Sequence, residues 1–193
     1  CLGEAASPLF ASPSAQHGGI DERDREPASE RSRKLGLAVG SLIHLYMERW
    51  DGLSAENTHK SLRNMSEQAA SDSGLDPGEL HAGAQPVLDA FLASRLAERW
   101  RGIDIVSRET PILLRSGDGR LYRGSIDLLY RDEAGNLVVA DYKTDLGLSE
   151  GEAAAHYRDQ LAVYAETVAE ALGLDTLPRA ELWMLRTGTL IDI

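Results

Sequence analysis

The chain has 193 residues, enough for one domain with a proper core and too few for two large ones. Apolar residues make up 42% and charged residues 26%, the balance of a soluble globular protein, and no apolar run reaches membrane-spanning length. With 31 acidic against 20 basic side chains the formal net charge is −11, which argues against capture of a polyanion by the protein's overall field. A single cysteine, Cys1, excludes a disulfide framework within the chain. The first residue is not Met and no basic segment precedes an apolar one, so no intact secretory signal is read. The expectation is a piece of something longer, or a chain whose start is missing, working in the cytoplasm without a membrane partner.

Residues 1–31 are rich in Ser, Pro, Gly, Ala and charge and have no apolar period, which predicts a flexible leader or linker. The remaining residues, 32–193, form the expected domain. Its first helix runs from Ser32 to Trp50, with Leu35, Val39, Leu42, Ile43 and Tyr46 in one apolar stripe. Gly40 sits one turn before His44 in this helix. A glycine there costs ~1 kcal/mol against alanine, so another element is expected to approach closely. His44 itself reads either as a packed or surface residue or as a ligand.

A polar helical segment within Ser54–Asp72 suits a surface position. Asp76-Pro77-Gly78-Glu79 then reads as a helix start, with Asp76 as cap and Glu79 closing a capping box. That helix is expected to continue through Val87, Leu88, Phe91 and Leu96 to about Trp100. Together these helices would form a lobe beside a sheet.

Ile103–Leu114 reads as a strand in which Pro111 suits an edge or a bulge. Glu109 within it is either a solvated strand residue or part of a site. Ser116–Gly119 is the expected turn to a strand over Arg120–Tyr130. Gly135-Asn136 marks a second turn, followed by the unbroken apolar run Leu137–Ala140, the pattern of a strand covered on both faces. That run ends in Asp141-Tyr142-Lys143-Thr144. Side chains alternate on a strand, so Asp141 and Lys143 share one face while Tyr142 points the other way. Asp127, between Ile126 and Leu128, is a carboxylate in apolar company on the neighbouring strand. Two carboxylates brought together in a core need a cation, and a hard divalent metal with oxygen ligands is the simplest one.

Ser149 is the expected cap of a helix from Glu150 to Leu172 that Gly173 ends. Tyr157, Gln160, Leu161 and Tyr164 lie on one side of it. Glu181–Arg186 and a short final segment after Thr187-Gly188 complete the strands.

In this order the chain carries Gly40-x-x-x-His44, Glu109-x-Pro111, Gly124-x-x-Asp127, Asp141-Tyr142-Lys143-Thr144 and Gln160-x-x-x-Tyr164. The series resembles the PD-(D/E)XK nucleases, specifically their RecB-like branch, across roughly Gly36 to Tyr164. Among these it looks most like the nuclease domain at the carboxyl end of helicase–nucleases that process broken DNA ends. The resemblance implies an α/β fold, a restriction-endonuclease-like mixed sheet flanked by helices with an N-terminal helical lobe. It implies Asp127, Asp141, Lys143 and Glu109 as catalytic residues. It also implies Mg²⁺ or Mn²⁺ held by His44, Asp127, Asp141 and the carbonyl of Tyr142, with Gln160 and Tyr164 positioning Lys143 or the phosphate backbone. The single cysteine excludes a self-contained Cys₄ iron–sulfur cluster, unlike the cluster-bearing relatives of that branch. The implied partners are DNA, as a single strand or an end, and a helicase motor in the same or an associated chain. The implied activity is metal-dependent phosphodiester hydrolysis, as an exonuclease in recombinational repair. Two alternatives stay open: a non-catalytic DNA-binding or docking module on the same scaffold, and an enzyme for another phosphate ester.

Overall fold

The computed structural model describes residues 10–11, 27–52, 57–115, 121–145 and 147–193. Four helices come first, after a two-residue strand β1 (Phe10–Ala11): α1 (Pro27–Arg49), α2 (Thr58–Ser73), α3 (Pro77–Leu92) and α4 (Arg95–Gly102). Strands β2 (Asp104–Arg115), β3 (Leu121–Arg131) and β4 (Leu137–Lys143) follow, then α5 (Glu150–Leu172), β5 (Arg179–Met184) and β6 (Thr189–Asp192). This is the mixed α/β sheet, restriction-endonuclease-like, that the motif series implies. No helix among the described residues is long and apolar enough to cross a membrane.

β3 is the hub of the sheet. β2 pairs with it antiparallel along one side, while β4 (antiparallel) and β1 (parallel) share its other side. β4 then pairs with β5 in parallel across the α5 crossover, and β6 closes the far side antiparallel to β5. Pro111 lies on β2, whose one described neighbour is β3, so its missing N–H costs no ladder bond there. The turn expected at Ser116–Gly119 lies outside the described residues.

Alternation on the central strands divides the core in two. Leu128, Tyr130, Val138, Ala140, Tyr142 and Trp183 face the helical lobe with Leu42, Ile43, Met47, Phe91 and Trp100. Ile126, Leu129, Val139, Leu182 and Met184 face α5 through Leu161, Tyr164 and Val168. β4 is buried along its first six residues, as its continuous apolar run requires. Burial of these large side chains contributes roughly 1.5–3 kcal/mol each.

Local sequence sets most helix ends. Ser149 caps α5 in a reciprocal box with Glu152, and Gly173 closes it in the left-handed conformation at φ 63°. Asp76 caps α3 by accepting the Glu79 N–H at 2.8 Å. The return half of the expected box is replaced, because the Glu79 carboxylate takes the Arg31 guanidinium at 2.7 Å. The helix expected to reach Trp100 is broken at Ala93–Ser94. Ser94 Oγ donates to the Phe91 carbonyl and accepts the Leu96 N–H, stopping α3 and capping α4. α1 begins at Pro27, ahead of the expected Ser32, with proline at the first helical position where its missing N–H is harmless.

Candidate active site

The site is built where β3 and β4 part. Their ladder runs from Arg131↔Leu137 to Leu128↔Ala140 and stops. At the next position Asp127 Oδ2 accepts the Tyr142 N–H at 2.6 Å. A side chain therefore takes over the acceptor role that backbone has in the rest of the ladder. This explains how a carboxylate can sit 5% exposed between Ile126 and Leu128. Beyond the split, Asp141 is 2% exposed and faces α5 with Lys143, while Tyr142 points into the aromatic cluster of Trp100 and Trp183. The strand alternation read from the sequence holds here residue by residue.

His44 reaches this point from α1. Its Nδ1 lies 3.3 Å from Asp127 Oδ1 and 3.4 Å from Glu109 Oε1, and its Nε2 lies 3.1 Å from the Tyr142 carbonyl oxygen. One ligand atom from each of His44, Glu109 and Asp127 falls within a 4.8 Å cluster. Glu109 is held by Ser125, whose hydroxyl donates to Oε2 at 3.1 Å. Oε1 is buried and accepts no hydrogen bond from a described residue. Glu109 also adopts φ 44°, where non-glycine residues are strained, and such strain gathers at functional sites.

Asp141 forms the other half. Its Oδ2 lies 2.7 Å from the Lys143 ammonium, and Gln160 Nε2 donates to Oδ1 at 3.3 Å. The same amide lies 2.9 Å from the hydroxyl of Tyr164. Lys143 stands over the ring of Tyr157 at 4.5 Å, and the Tyr157 hydroxyl donates to Asp145. Sequence reading leaves Tyr157 in a core stripe. Its place beneath Lys143 depends on how α5 crosses β4, which no spacing within α5 encodes.

The charges are poised accordingly. Burial works against a charged His44 ring, yet Asp127, helped by Glu109 and Asp141, outweighs it and raises the imidazole to about 10. Burial raises Asp141 to about 6; Lys143 pulls it down and Asp127 pushes it further up. Lys143 is buried too, but Asp141 overcomes that cost and holds the ammonium well above its ordinary range. Lys143 is a firm cation at neutral pH.

Two motif glycines find their reason in close approach. A Cβ on Gly40 would come within 3.3 Å of Thr144 Oγ1, so the glycine lets α1 press against the end of β4 and deliver His44 one turn later. A Cβ on Gly124 would come within 3.3 Å of Tyr164 Oη, so that glycine makes room for the tyrosine that holds Gln160.

The donor set suits a hard divalent cation. It is rich in carboxylate oxygen with one imidazole, it contains a buried carboxylate oxygen without a donor, and its field raises the one titratable base in it. A cleft of about 860 Å³ opens onto the cluster, lined by α1 from Arg33 to Glu48 and, opposite, by Lys143, Thr144, Asp145 and Arg186. Neither Arg123 nor Arg158, basic residues near the motifs in sequence, is among its described lining residues.

Comparison with known proteins agrees with this geometry. The family model of the PD-(D/E)XK nuclease superfamily matches residues 15–190. The chain is 27% identical over 157 residues to an ATP-dependent helicase/nuclease subunit of Streptococcus sanguinis, covering 78% of this chain. It is 29% identical over 154 residues to the protein of that name from Streptococcus suis, covering 76% of this chain. One from Lysinibacillus sphaericus is 32% identical over 94 residues, 42% of this chain. The matches span 12%, 12% and 8% of these relatives' own lengths.

Proposed function

The chain belongs to the PD-(D/E)XK nuclease superfamily, and we propose that it is the nuclease domain of a helicase–nuclease, cutting DNA phosphodiester bonds with Mg²⁺ or Mn²⁺. The observation that carries this reading is the meeting of Asp127, Glu109 and His44 in one cluster beside the Asp141–Lys143 pair. A non-catalytic docking module would have no use for a buried, strained glutamate aimed at a second carboxylate.

Asp127, Glu109 and His44 would hold the metal, with Asp141 and the Tyr142 carbonyl completing its surroundings. When bound, such an ion lowers the pKa of water and neutralises charge on the phosphate oxygens. Asp127 is fixed for its part by the Tyr142 N–H, and Glu109 by Ser125. Lys143, raised and therefore protonated, stabilises negative charge at the scissile phosphate and orients the attacking water. It takes no proton at neutral pH; that role falls to a carboxylate, for which Asp141 and Glu109 are the candidates. Gln160 and Tyr164 keep the Asp141 carboxylate turned toward Lys143.

The names of the relatives support a helicase partner, in the same or an associated chain, and a role in repair of DNA ends. Exonuclease action in the cytoplasm is part of the same proposal. The test is a substrate panel with Mn²⁺ and Mg²⁺: single-stranded DNA, duplex DNA, RNA and a small phosphodiester. Cleavage of DNA with little turnover of the small ester supports the reading. Turnover of the small ester alone would favour an enzyme for other phosphate esters.

A further inference from the structure

The cleft extends well beyond the cluster that would hold metal. On α1 its lining runs through Arg33, Gly36, Leu37, Gly40, Ser41 and His44 to Glu48. Arg33 and His44 are separated by ~16 Å of helix at 1.5 Å per residue, so several nucleotides can lie between them. The two ends differ in charge. Glu48 and Glu109 stand at one end, and Arg33 lies at the other, with Arg186 on the opposing wall.

These two arginines are unlike others in the fold. Arg31 is paired with Glu79, Arg99 and Arg179 with Glu181, and Arg108 is spent on the carbonyls of Glu48 and Trp50. Arg33 is exposed and pairs with no described acid. Arg186 is half-buried, and its Nε donates to the Thr144 carbonyl at 2.6 Å. That bond aims the guanidinium from the end of the Asp141–Lys143 strand and leaves its terminal nitrogens free of described partners. Between the arginines the wall is low. A Cβ on Gly36 would meet nothing within 4 Å, and Leu37 is 63% exposed beside it.

We propose that this arm of the cleft carries the backbone of a single nucleic-acid strand leading to the scissile phosphate, with the Arg33 and Arg186 guanidiniums as its phosphate contacts. The reading rests on the nuclease function proposed above. Guanidinium forks match phosphate oxygens in geometry and charge. Leu37 offers an apolar surface to an unstacked base, which a duplex would keep inside its stack. Few cations suffice because the strand is held over a short length, and this reconciles a net charge of −11 with a polyanionic substrate. Acidic residues elsewhere leave this arm as the favourable approach.

The experiment uses the full chain and a labelled oligothymidylate. Affinity is measured in EDTA across a salt titration, and steady-state cleavage in Mn²⁺, for wild type, Arg33→Ala, Arg186→Ala and the control Arg63→Ala on the exposed face of α2. Each cleft variant should weaken binding on the order of tenfold at low salt and reduce the log–log salt slope by ~0.7, the single-strand value per phosphate contact. KM should rise with little change in kcat, and Arg63→Ala should behave as wild type. Thermal melting accompanies each variant. If Arg186→Ala melts lower through loss of its Thr144 bond, Arg33→Ala, wholly outside the core, decides the matter. Wild-type slope and KM in Arg33→Ala, while the wild type cleaves, would overturn the proposal and leave the nuclease reading standing. An equal loss on duplex of the same length would overturn the single-strand assignment. A wild type that cleaves no nucleic acid would instead overturn the nuclease reading.

Discussion

Asp127 accepts the backbone N–H of Tyr142 at 2.6 Å, so the carboxylate of one strand replaces the ladder of the next at the point where the sheet opens. The bond fixes Asp127 Oδ2 and leaves Oδ1 turned toward His44 and Glu109. Asp127→Asn keeps the acceptor oxygen and removes the charge. It should fold and melt within a few degrees of wild type yet bind metal at least tenfold more weakly, ligand charge being the main source of affinity for a hard cation. Calorimetric metal titration checks this; unchanged affinity would remove Asp127 from the ligand set.

His44 should report metal binding through protons. Its raised value, about 10, means that the ring is charged below that pH, and a charged ring cannot ligate. Metal binding at pH 7–8 should therefore release about one proton, and apparent affinity should rise with pH. The sign for stability is opposite: a raised histidine stabilises the metal-free fold below its unfolded pKa of about 6.5, and that gain is lost as pH rises through 10. Titrations in buffers of different ionisation enthalpy give the proton count. His44→Ala should abolish the release and raise the metal concentration needed.

The site residues were plain in the sequence because strand alternation is rigid. Once Leu137–Ala140 is a buried strand, Asp141 and Lys143 must share a face, and a carboxylate at Asp127 needs a polar reason. Gly40 likewise announced a close approach before its partner, Thr144, was known. What could not be read depends on contacts between distant segments. Arg33 and Arg186 are 153 residues apart in numbering and share a cleft wall only after folding. The break at Ser94 turns on one hydroxyl choosing the Phe91 carbonyl. Glu109 gave no sign of its positive φ, since that conformation is imposed by the surrounding sheet.

Tyr157 should act through Lys143. Its ring sits 4.5 Å from the ammonium, a contact worth about 0.5–2 kcal/mol, so Tyr157→Ala should lower kcat by roughly 3–30-fold. Tyr157→Phe keeps the ring and should recover most of the loss, with the bond to Asp145 alone removed. Equal losses in both variants would make that hydroxyl, and not the ring, the important part.

Gly124→Ala tests the space made for Tyr164. The added methyl meets the phenol oxygen at 3.3 Å and the ring edge at 3.5 Å. The single change should destabilise by roughly 1–3 kcal/mol through overpacking, and Tyr164→Phe should relieve part of this by removing the nearer atom. Denaturant unfolding of the two singles and the double gives the coupling. Strict additivity would mean that the oxygen is not the obstacle.

Glu181 is fully buried and accepts from Arg99, Arg179, Tyr130 and Trp183, far from the catalytic cluster along β5. Glu181→Ala strands these donors and should cost about 3–5 kcal/mol. Urea unfolding measures it, and a loss under about 1 kcal/mol would show that water replaces the carboxylate.

The central claim is that the Asp141–Lys143 pair beside the His44–Glu109–Asp127 cluster performs metal-dependent cleavage. Its most direct test is single-turnover cleavage of a labelled DNA strand by Lys143→Ala in saturating Mn²⁺, beside wild type with Mn²⁺ and with EDTA. The variant should retain metal binding and lose on the order of 10³-fold or more in rate, and the wild type should be silent in EDTA. Near-normal cleavage by Lys143→Ala, or full wild-type activity in EDTA, would contradict the account.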